Sequence, residues 1–141
     1  MNTQRNTDKT GLTYGRGSVF SIKYHIVWCT KYRKPVLTEA IADDCKRFLK
    51  QVANDYDFVI DTMEVMPDHV HLLVDCTPSL SVSNMLRVLK GNTARWLFIN
   101  HPELKASLYG GHLWNPSYCV TTVSERSEVQ IRHYIETQTN K

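Results

Sequence analysis

The sequence predicts an α+β fold, in which a four-stranded antiparallel sheet and two helices are followed by one extra C-terminal helix. Three observations support this fold class. Some stretches alternate apolar and polar residues with the period of two that is typical of strands. Others repeat apolar residues every three or four positions, as helices do. These patterns run in the order strand, helix, strand, strand, helix, strand, helix, with a tight turn between the consecutive strands.

The composition fits one globular domain with a core, since 42% of the 141 residues are hydrophobic and 22% are charged. The four cysteines are widely spaced without a Cys-x-x-Cys pair, which argues against a cysteine zinc site or a disulfide framework. The N-terminus is polar, and no apolar run approaches the ~20 residues of a membrane span. We therefore expect a cytoplasmic protein with no membrane partner.

Basic residues concentrate at the N-terminal end. Residues 1–34 contain seven Lys or Arg side chains and one Asp, whereas the remainder of the chain is mildly acidic. This asymmetry indicates a polyanionic partner. Residues 1–17 are polar and include three glycines, so we expect a flexible tail ahead of a single domain that spans residues 18–141.

The first predicted strand runs from Val19 to Cys29, because its apolar residues alternate with Lys23 and His25. A basic loop with an aromatic residue in its middle follows. Such a loop can hold phosphates and stack a base, although a solvated turn is the alternative. Its candidate DNA-binding residues are Lys31, Tyr32, Arg33 and Lys34.

Helical spacing predicts a first helix over residues 38–54, and residues 58–66 read as the second strand. After the histidine-containing third strand, Ser81 is expected to cap a second long helix. Arg87 and Lys90 lie along this helix as further candidates for DNA contact. Residues 113–123 predict the fourth strand, with Pro116 placing its start at an edge or bulge.

Two histidines lie at the entry of the third strand, within residues 66–74 (MPDHVHLLV). Because residues two apart on a strand share a face, His69 and His71 lie side by side, roughly 6–7 Å apart at the backbone. One histidine on a strand is usually a satisfied core or rim residue. A pair on an apolar strand favours a metal site, since imidazole is a common ligand. Across the hairpin, Glu64 is expected opposite His71, either as a metal ligand or as a hydrogen-bond acceptor for a metal ligand.

The last helix supplies the remaining candidates. Tyr134 and Gln138 are four residues apart, so they lie on the same helical face. Taken alone, Tyr134 reads as a packing aromatic and Gln138 as a solvated side chain. Beside the two histidines, we interpret the Gln138 amide oxygen as a third metal ligand and its helix as holding the Tyr134 hydroxyl near the metal.

The order of the first six elements matches the ferredoxin-like (RRM-like) βαββαβ arrangement. In that topology the first and third strands lie at the centre of the sheet. The histidine pair then sits mid-sheet, where the extra helix can cover it.

Four motifs stand out: PDHVHLLV at residues 67–74, YIxxQ at 134–138, YHIVWCTKYR at 24–33 and LWNPSY at 113–118. With them the chain resembles the single-tyrosine HUH transposases of the smallest bacterial insertion sequences and their REP-associated relatives. The resemblance covers nearly the whole chain after the tail. Related relaxases and replication initiators often carry two tyrosines on the last helix, whereas this chain carries one.

The resemblance implies a homodimer that acts on single-stranded DNA, with hairpins at element ends as substrate, in a bacterial or archaeal cell. It implies that His69, His71 and Gln138 bind a divalent metal and that Tyr134 is the nucleophile. The metal would be Mn²⁺, which suits histidine with oxygen ligands, or Mg²⁺, which prefers an all-oxygen shell. In this family the tyrosine helix can reach the histidines of the partner subunit, so each active site would be composite.

The predicted function is a DNA strand transferase that cuts and rejoins element ends through a 5′-phosphotyrosine. Three alternatives stay open. A domesticated relative would process chromosomal repeat hairpins with the same residues. A non-catalytic nucleic-acid-binding module would also suit a ferredoxin-like sheet. A hydrolase at the histidine site would use water in place of Tyr134.

Overall fold

The computed structural model describes residues 6–7, 13–15, 18–20, 23–75, 80–122 and 127–138, which form two antiparallel sheets. The smaller sheet pairs three short strands in chain order: β1 (Asn6–Thr7), β2 (Thr13–Gly15) and β3 (Ser18–Phe20). The sequence does not predict the pairing within residues 1–17, and the flexibility of that stretch stays a prediction.

The larger sheet has four strands: β4 (Lys23–Cys29), β5 (Val59–Met66), β6 (His69–Asp75) and β7 (Cys119–Thr122). Their order across the sheet is β5-β6-β4-β7, and every neighbouring pair is antiparallel. Helix α1 (Glu39–Asp55) connects β4 to β5, and helix α2 (Val82–Asn100) lies between β6 and β7. The first and third strands of this βαββαβ unit are central, so the predicted ferredoxin-like arrangement is confirmed.

Helices α1 and α2 pack together and supply the core with the apolar side chains that recur along one side of each. The predicted cap of α2 is confirmed, because the Ser81 hydroxyl accepts a hydrogen bond from the Asn84 N–H at 3.2 Å. Both helices and both central strands contribute to one buried cluster, which includes Trp28, Val70, Leu72, Leu49 and Leu89.

The fourth strand is shorter than the sequence predicts. Of the predicted range 113–123, only β7 is a strand among the described residues. Trp114 is buried ahead of it, where its ring packs edge to face with that of Trp28, with centroids 5.7 Å apart. Trp114 also forms an isolated bridge with Thr30. The prediction of a strand is wrong over residues 113–118, because the apolar residues there pack into the core although their backbone forms a loop.

A bulge of residues 115–118 separates that bridge from β7. Val27 pairs with Cys119, so two residues of β4 lie opposite four residues of the other chain segment. Pro116 lies inside the bulge and has no N–H to donate to a ladder, which favours the interruption there. The bulge supplies the residues that contact the last helix.

Two helices complete the described chain. Helix α3 (Leu104–Ser107) is a single turn, and α4 (Ser127–Thr137) is the predicted extra C-terminal helix. Helix α4 packs against β7 and β4. Within the described ranges, no helix is both long and apolar enough to cross a membrane.

The core predicts a strong position dependence of stability along α2. We expect Leu89→Ala to lower the free energy of unfolding by about 2–5 kcal/mol, because Leu89 is fully buried and its truncation leaves a cavity. Ile99→Ala on the same helix is the control and should cost less than about 0.5 kcal/mol, since Ile99 is 67% exposed. Urea denaturation of both variants checks this, and equal losses would contradict the packing described.

Candidate active site

Strand alternation divides the large sheet into a core face and an opposite face, which we call the site face. Across the β4–β6 ladder, Cys29 pairs with His69 and Val27 with His71, so these four side chains share the site face. The predicted placement of Glu64 opposite His71 is confirmed by the β5–β6 register. The role of Glu64 as a ligand or an acceptor stays a prediction.

The ring of His69 is fixed by the residue before it. One carboxylate oxygen of Asp68, Oδ1, accepts from His69 Nδ1 at 2.8 Å. The other, Oδ2, accepts from Arg33 through Nε at 3.0 Å and Nη2 at 2.9 Å. Burial alone would raise the pKa of Asp68, but the hydrogen bonds from His69 and Arg33 outweigh it and lower that pKa. The carboxylate accepts only, so Nδ1 carries the proton and Nε2 of a neutral ring keeps a lone pair.

The ring of His71 is held by a histidine of the neighbouring strand. His25 Nδ1 and His71 Nε2 are 3.1 Å apart in a hydrogen bond, with the ring centroids 5.3 Å apart. The sequence places His25 away from the apolar face of its strand and assigns it no role. Its diagonal contact with His71 is visible only once the β4–β6 register is known.

Helix α4 brings Tyr134 and Gln138 to the same partner, as their predicted shared face requires. The Ser117 hydroxyl lies 2.9 Å from the Tyr134 hydroxyl and 3.2 Å from Gln138 Oε1. Ser117 Oγ also donates to Asn115 Oδ1 at 2.9 Å. The single hydroxyl proton of Ser117 goes to these amide oxygens, which only accept, so Tyr134 donates to Ser117.

Helix α4 packs on the part of the site face that β4 and β7 form. Val27 and Cys29 are fully buried although they point away from the core. Burial is the main cause that raises the pKa of Tyr134 to about 12, the bond to Ser117 opposes it, and the Cys29 and Cys119 thiols add to it. The Tyr134 hydroxyl therefore stays protonated at neutral pH.

The donor chemistry of these residues fits a divalent cation. Asp68 orients the His69 ring so that Nε2 can bind a metal, and Gln138 has an amide oxygen just after the end of α4. Among the described side chains, no three His, Cys, Asp or Glu gather closely enough to hold a metal ion. The predicted ligand set of His69, His71 and Gln138 includes an amide side chain, which is not one of those four residue types.

Comparisons with known proteins place the chain in a family. A model of the protein family described as Transposase IS200 like matches residues 18–138. This chain belongs to the IS200-like transposase family. It is 49% identical over 127 residues to the ISDra2 transposase TnpA of Deinococcus radiodurans, across 90% of this chain and 91% of that protein. A transposase for insertion sequence element IS200 of Salmonella typhimurium is 28% identical over 131 residues, with 93% and 84% covered.

Solved structures agree with the family. A crystal structure of a candidate transposase from Deinococcus radiodurans has a TM-score of 0.84 at 46% identity, across 89% of this transposase and 96% of that chain. A REP-associated tyrosine transposase bound to a REP hairpin has a TM-score of 0.56 at 16% identity, with 87% and 67% covered. The second likeness shows the fold alone. The predicted resemblance is confirmed.

The predicted DNA-binding loop of this IS200-like transposase is a 3-10 turn over Lys31–Arg33. Tyr32 is exposed, and the Lys31 ammonium lies 5.1 Å from the centroid of its ring. Lys34 is exposed, whereas Arg33 contacts Asp68. DNA binding by this loop stays a prediction.

The two candidates on α2 lie in different environments. Arg87 is exposed, but Lys90 is half-buried and donates to the carbonyl oxygens of Asn115 at 2.7 Å and Ser117 at 3.2 Å. Burial lowers the pKa of Lys90 to about 8. In the structure Lys90 therefore holds the bulge, and phosphate binding by either residue stays a prediction.

The sequence did not indicate which residues hydrogen-bond to the predicted site residues and to their partners. Asp68 lies inside the PDHVHLLV motif, and Asn115 and Ser117 lie inside the LWNPSY motif, so membership of a motif was the available signal. The contacts of Asp68 with Arg33 and of Ser117 with Tyr134 join residues far apart along the chain, and no periodicity encodes such contacts.

We expect Ser117→Ala to loosen α4, because it removes the shared partner of Tyr134 and Gln138 and leaves the buried Gln138 amide without that bond. Amide hydrogen exchange in residues 127–138 should accelerate, while exchange in α1 should not. The control is Ser107→Ala at an exposed position. Unchanged exchange in α4 would show that Ser117 does not hold the helix.

Proposed function

We propose that this transposase is a metal-dependent DNA strand transferase that cuts and rejoins single-stranded element ends. Tyr134 is the nucleophile, and His69, His71 and Gln138 hold the metal. The observation that supports the proposal is that α4, which carries Tyr134, packs against β4, the strand next to the one that carries both histidines.

The chain's own residues perform the exchange of bonds. The Tyr134 oxygen attacks phosphorus, the bond from phosphorus to the 3′ oxygen breaks, the phenol loses its proton and the 3′ oxygen gains one. The products are a 5′-phosphotyrosine and a free 3′-OH. This ester keeps the energy of the broken bond, so a 3′-OH from another strand can attack it and rejoin DNA without ATP. A bound divalent ion supplies charge neutralisation and orientation of the phosphate.

The ligand set favours Mn²⁺ or Mg²⁺ as the metal. Two imidazoles with oxygen donors suit Mn²⁺, and Mg²⁺ prefers an all-oxygen shell but is abundant in cells. All three proposed protein ligands are neutral when bound, so the full positive charge of the ion acts on the phosphate.

The proposed substrate is single-stranded DNA with a hairpin near the cleaved end. Support comes from the relatives, since one related fold is a REP-associated transposase bound to a REP hairpin. A mobile element is favoured over a chromosomal repeat, because the ISDra2 transposase is 49% identical and the REP-associated protein only 16%.

We further propose a homodimer in which α4 of one protomer completes the site of the other. In the single chain, α4 packs on its own β4 and β7, and both Tyr134 and Gln138 bond to Ser117. Subunit mixing distinguishes this placement from the proposed placement on the partner protomer.

Trapping of a covalent adduct tests the nucleophile. We expect wild-type protein incubated with Mn²⁺ and single-stranded element ends to form a DNA adduct on denaturing gels. Tyr134→Phe should bind the same DNA but form no adduct, because it lacks the attacking oxygen. Tyr118→Phe is the matched control at an exposed tyrosine of the bulge, and it should form adduct normally. Adduct from Tyr134→Phe, or an undiminished yield in EDTA, would refute the proposal.

Subunit mixing tests the composite site. We expect a mixture of Tyr134→Phe and His69→Ala chains to regain cleavage under conditions that allow subunit exchange. If sites are built in trans, one site of the mixed dimer carries both lesions and the other carries neither. If each chain builds its own site, every site carries a lesion and the mixture stays inactive. Inactivity, with heterodimers detected by native mass spectrometry, would contradict trans assembly.

A further inference from the structure

We propose that Arg33 and Asp68 are positioning residues that together orient the imidazole of His69 for metal binding. This inference rests on the proposed metal role of His69. It assigns Arg33 to the metal centre and not to the surface that binds DNA phosphates.

The three side chains form one continuous line of hydrogen bonds. Asp68 uses Oδ1 for His69 and Oδ2 for Arg33, so its two oxygens are divided between the ring and the guanidinium. Arg33 reaches that single oxygen with both Nε and Nη2, at 3.0 and 2.9 Å. Hydrogen bonds to both oxygens fix the carboxylate plane, and the carboxylate in turn fixes the plane and the tautomer of the ring.

Hydrogen bonds from Thr30 to backbone carbonyls connect the two segments that carry these side chains. The carbonyl oxygen of Asp68 accepts from the Thr30 N–H at 3.0 Å and from the Thr30 hydroxyl at 3.2 Å. Thr30 is fully buried, and its hydroxyl also donates to the Lys34 carbonyl at 2.8 Å. One threonine therefore joins the turn that carries Asp68 to the loop that carries Arg33.

The loop adopts an unusual conformation to deliver Arg33. Tyr32 and Arg33 have positive φ values of 56° and 53°, a left-handed backbone that costs energy for residues with a Cβ. A loop that only displayed basic side chains to solvent would have no need of two such residues in succession. The strained turn is consistent with a required contact between Arg33 and Asp68.

The geometry separates Arg33 from its basic neighbours. Lys34 is exposed, and the ammonium of Lys31 lies over the Tyr32 ring, whereas Arg33 is directed at the carboxylate behind His69. Removal of the Arg33 charge should therefore change the metal site, and removal of the Lys34 charge should not.

Manganese titration followed by electron paramagnetic resonance of free Mn²⁺ tests the proposal on the full chain without DNA. We expect Asp68→Ala to weaken Mn²⁺ binding by about 10- to 100-fold, the effect typical of a lost carboxylate behind a histidine ligand. Asp68→Asn keeps the shape and one acceptor but loses the charge, so a smaller loss is expected. Arg33→Gln should weaken binding severalfold, and Lys34→Gln should leave it unchanged. Thermal unfolding of each variant checks the fold.

The double variant Arg33→Gln/Asp68→Asn gives the most specific readout. If Arg33 acts through Asp68, the double variant binds Mn²⁺ no more weakly than Asp68→Asn alone. Arg33→Lys should recover part of the affinity, because it restores the charge but not the paired donors. A merely structural role for Arg33 predicts additive losses and no such recovery.

Two results overturn the inference in different ways. If Arg33→Gln binds Mn²⁺ like wild type and loses DNA affinity as Lys34→Gln does, Arg33 is a phosphate contact and the positioning role is wrong. If the His69→Ala variant binds Mn²⁺ as tightly as the wild type does, His69 is not a metal ligand, and the proposed function fails with it.

Discussion

The pairing of β4 with β6 at the centre of the sheet is the interaction on which the site depends. Its register sets Trp28 against Val70 and Cys29 against His69. Because side chains alternate along a strand, a slip of one residue would exchange the core face and the site face. The need to bury Trp28 and Val70 under α1 and α2 therefore fixes the histidines on the opposite face. The hydrophobic core thus determines which face of the sheet carries the site.

Helix α2 connects that core to the bulge that contacts Tyr134 and Gln138. The Trp114 indole donates to the Lys90 carbonyl at 3.1 Å, and the Lys90 ammonium binds two carbonyls of the bulge. One turn of α2 therefore anchors the chain on both sides of Asn115. These bonds hold the bulge that presents Ser117 to α4, so the contact between Ser117 and Tyr134 depends on α2 as well as on α4.

The sequence predicted what periodicity and turn chemistry can encode. The turn at Pro67 and Asp68 set the hairpin register, and the spacing of Tyr134 and Gln138 predicted their common face, as their shared bond to Ser117 shows. Periodicity could not show that residues 113–118 leave the sheet, because an apolar loop residue and an apolar strand residue look alike. It also could not pair Arg33 with Asp68, since that contact depends on a left-handed backbone without glycine.

The buried thiols and the phenol of the site are neutral, and the carboxylate that contacts His69 is paired with a cation. Burial raises the pKa of Cys29 to about 11, that of Tyr134 to about 12 and that of Cys119 above its ordinary value, so these groups are neutral at pH 7. Asp68 is ionised, but its charge is matched by Arg33 at 2.9 Å. The carboxylate can therefore hold the His69 ring without adding uncompensated negative charge that would repel a phosphodiester. This balance explains why the orienting carboxylate is itself paired with a cation.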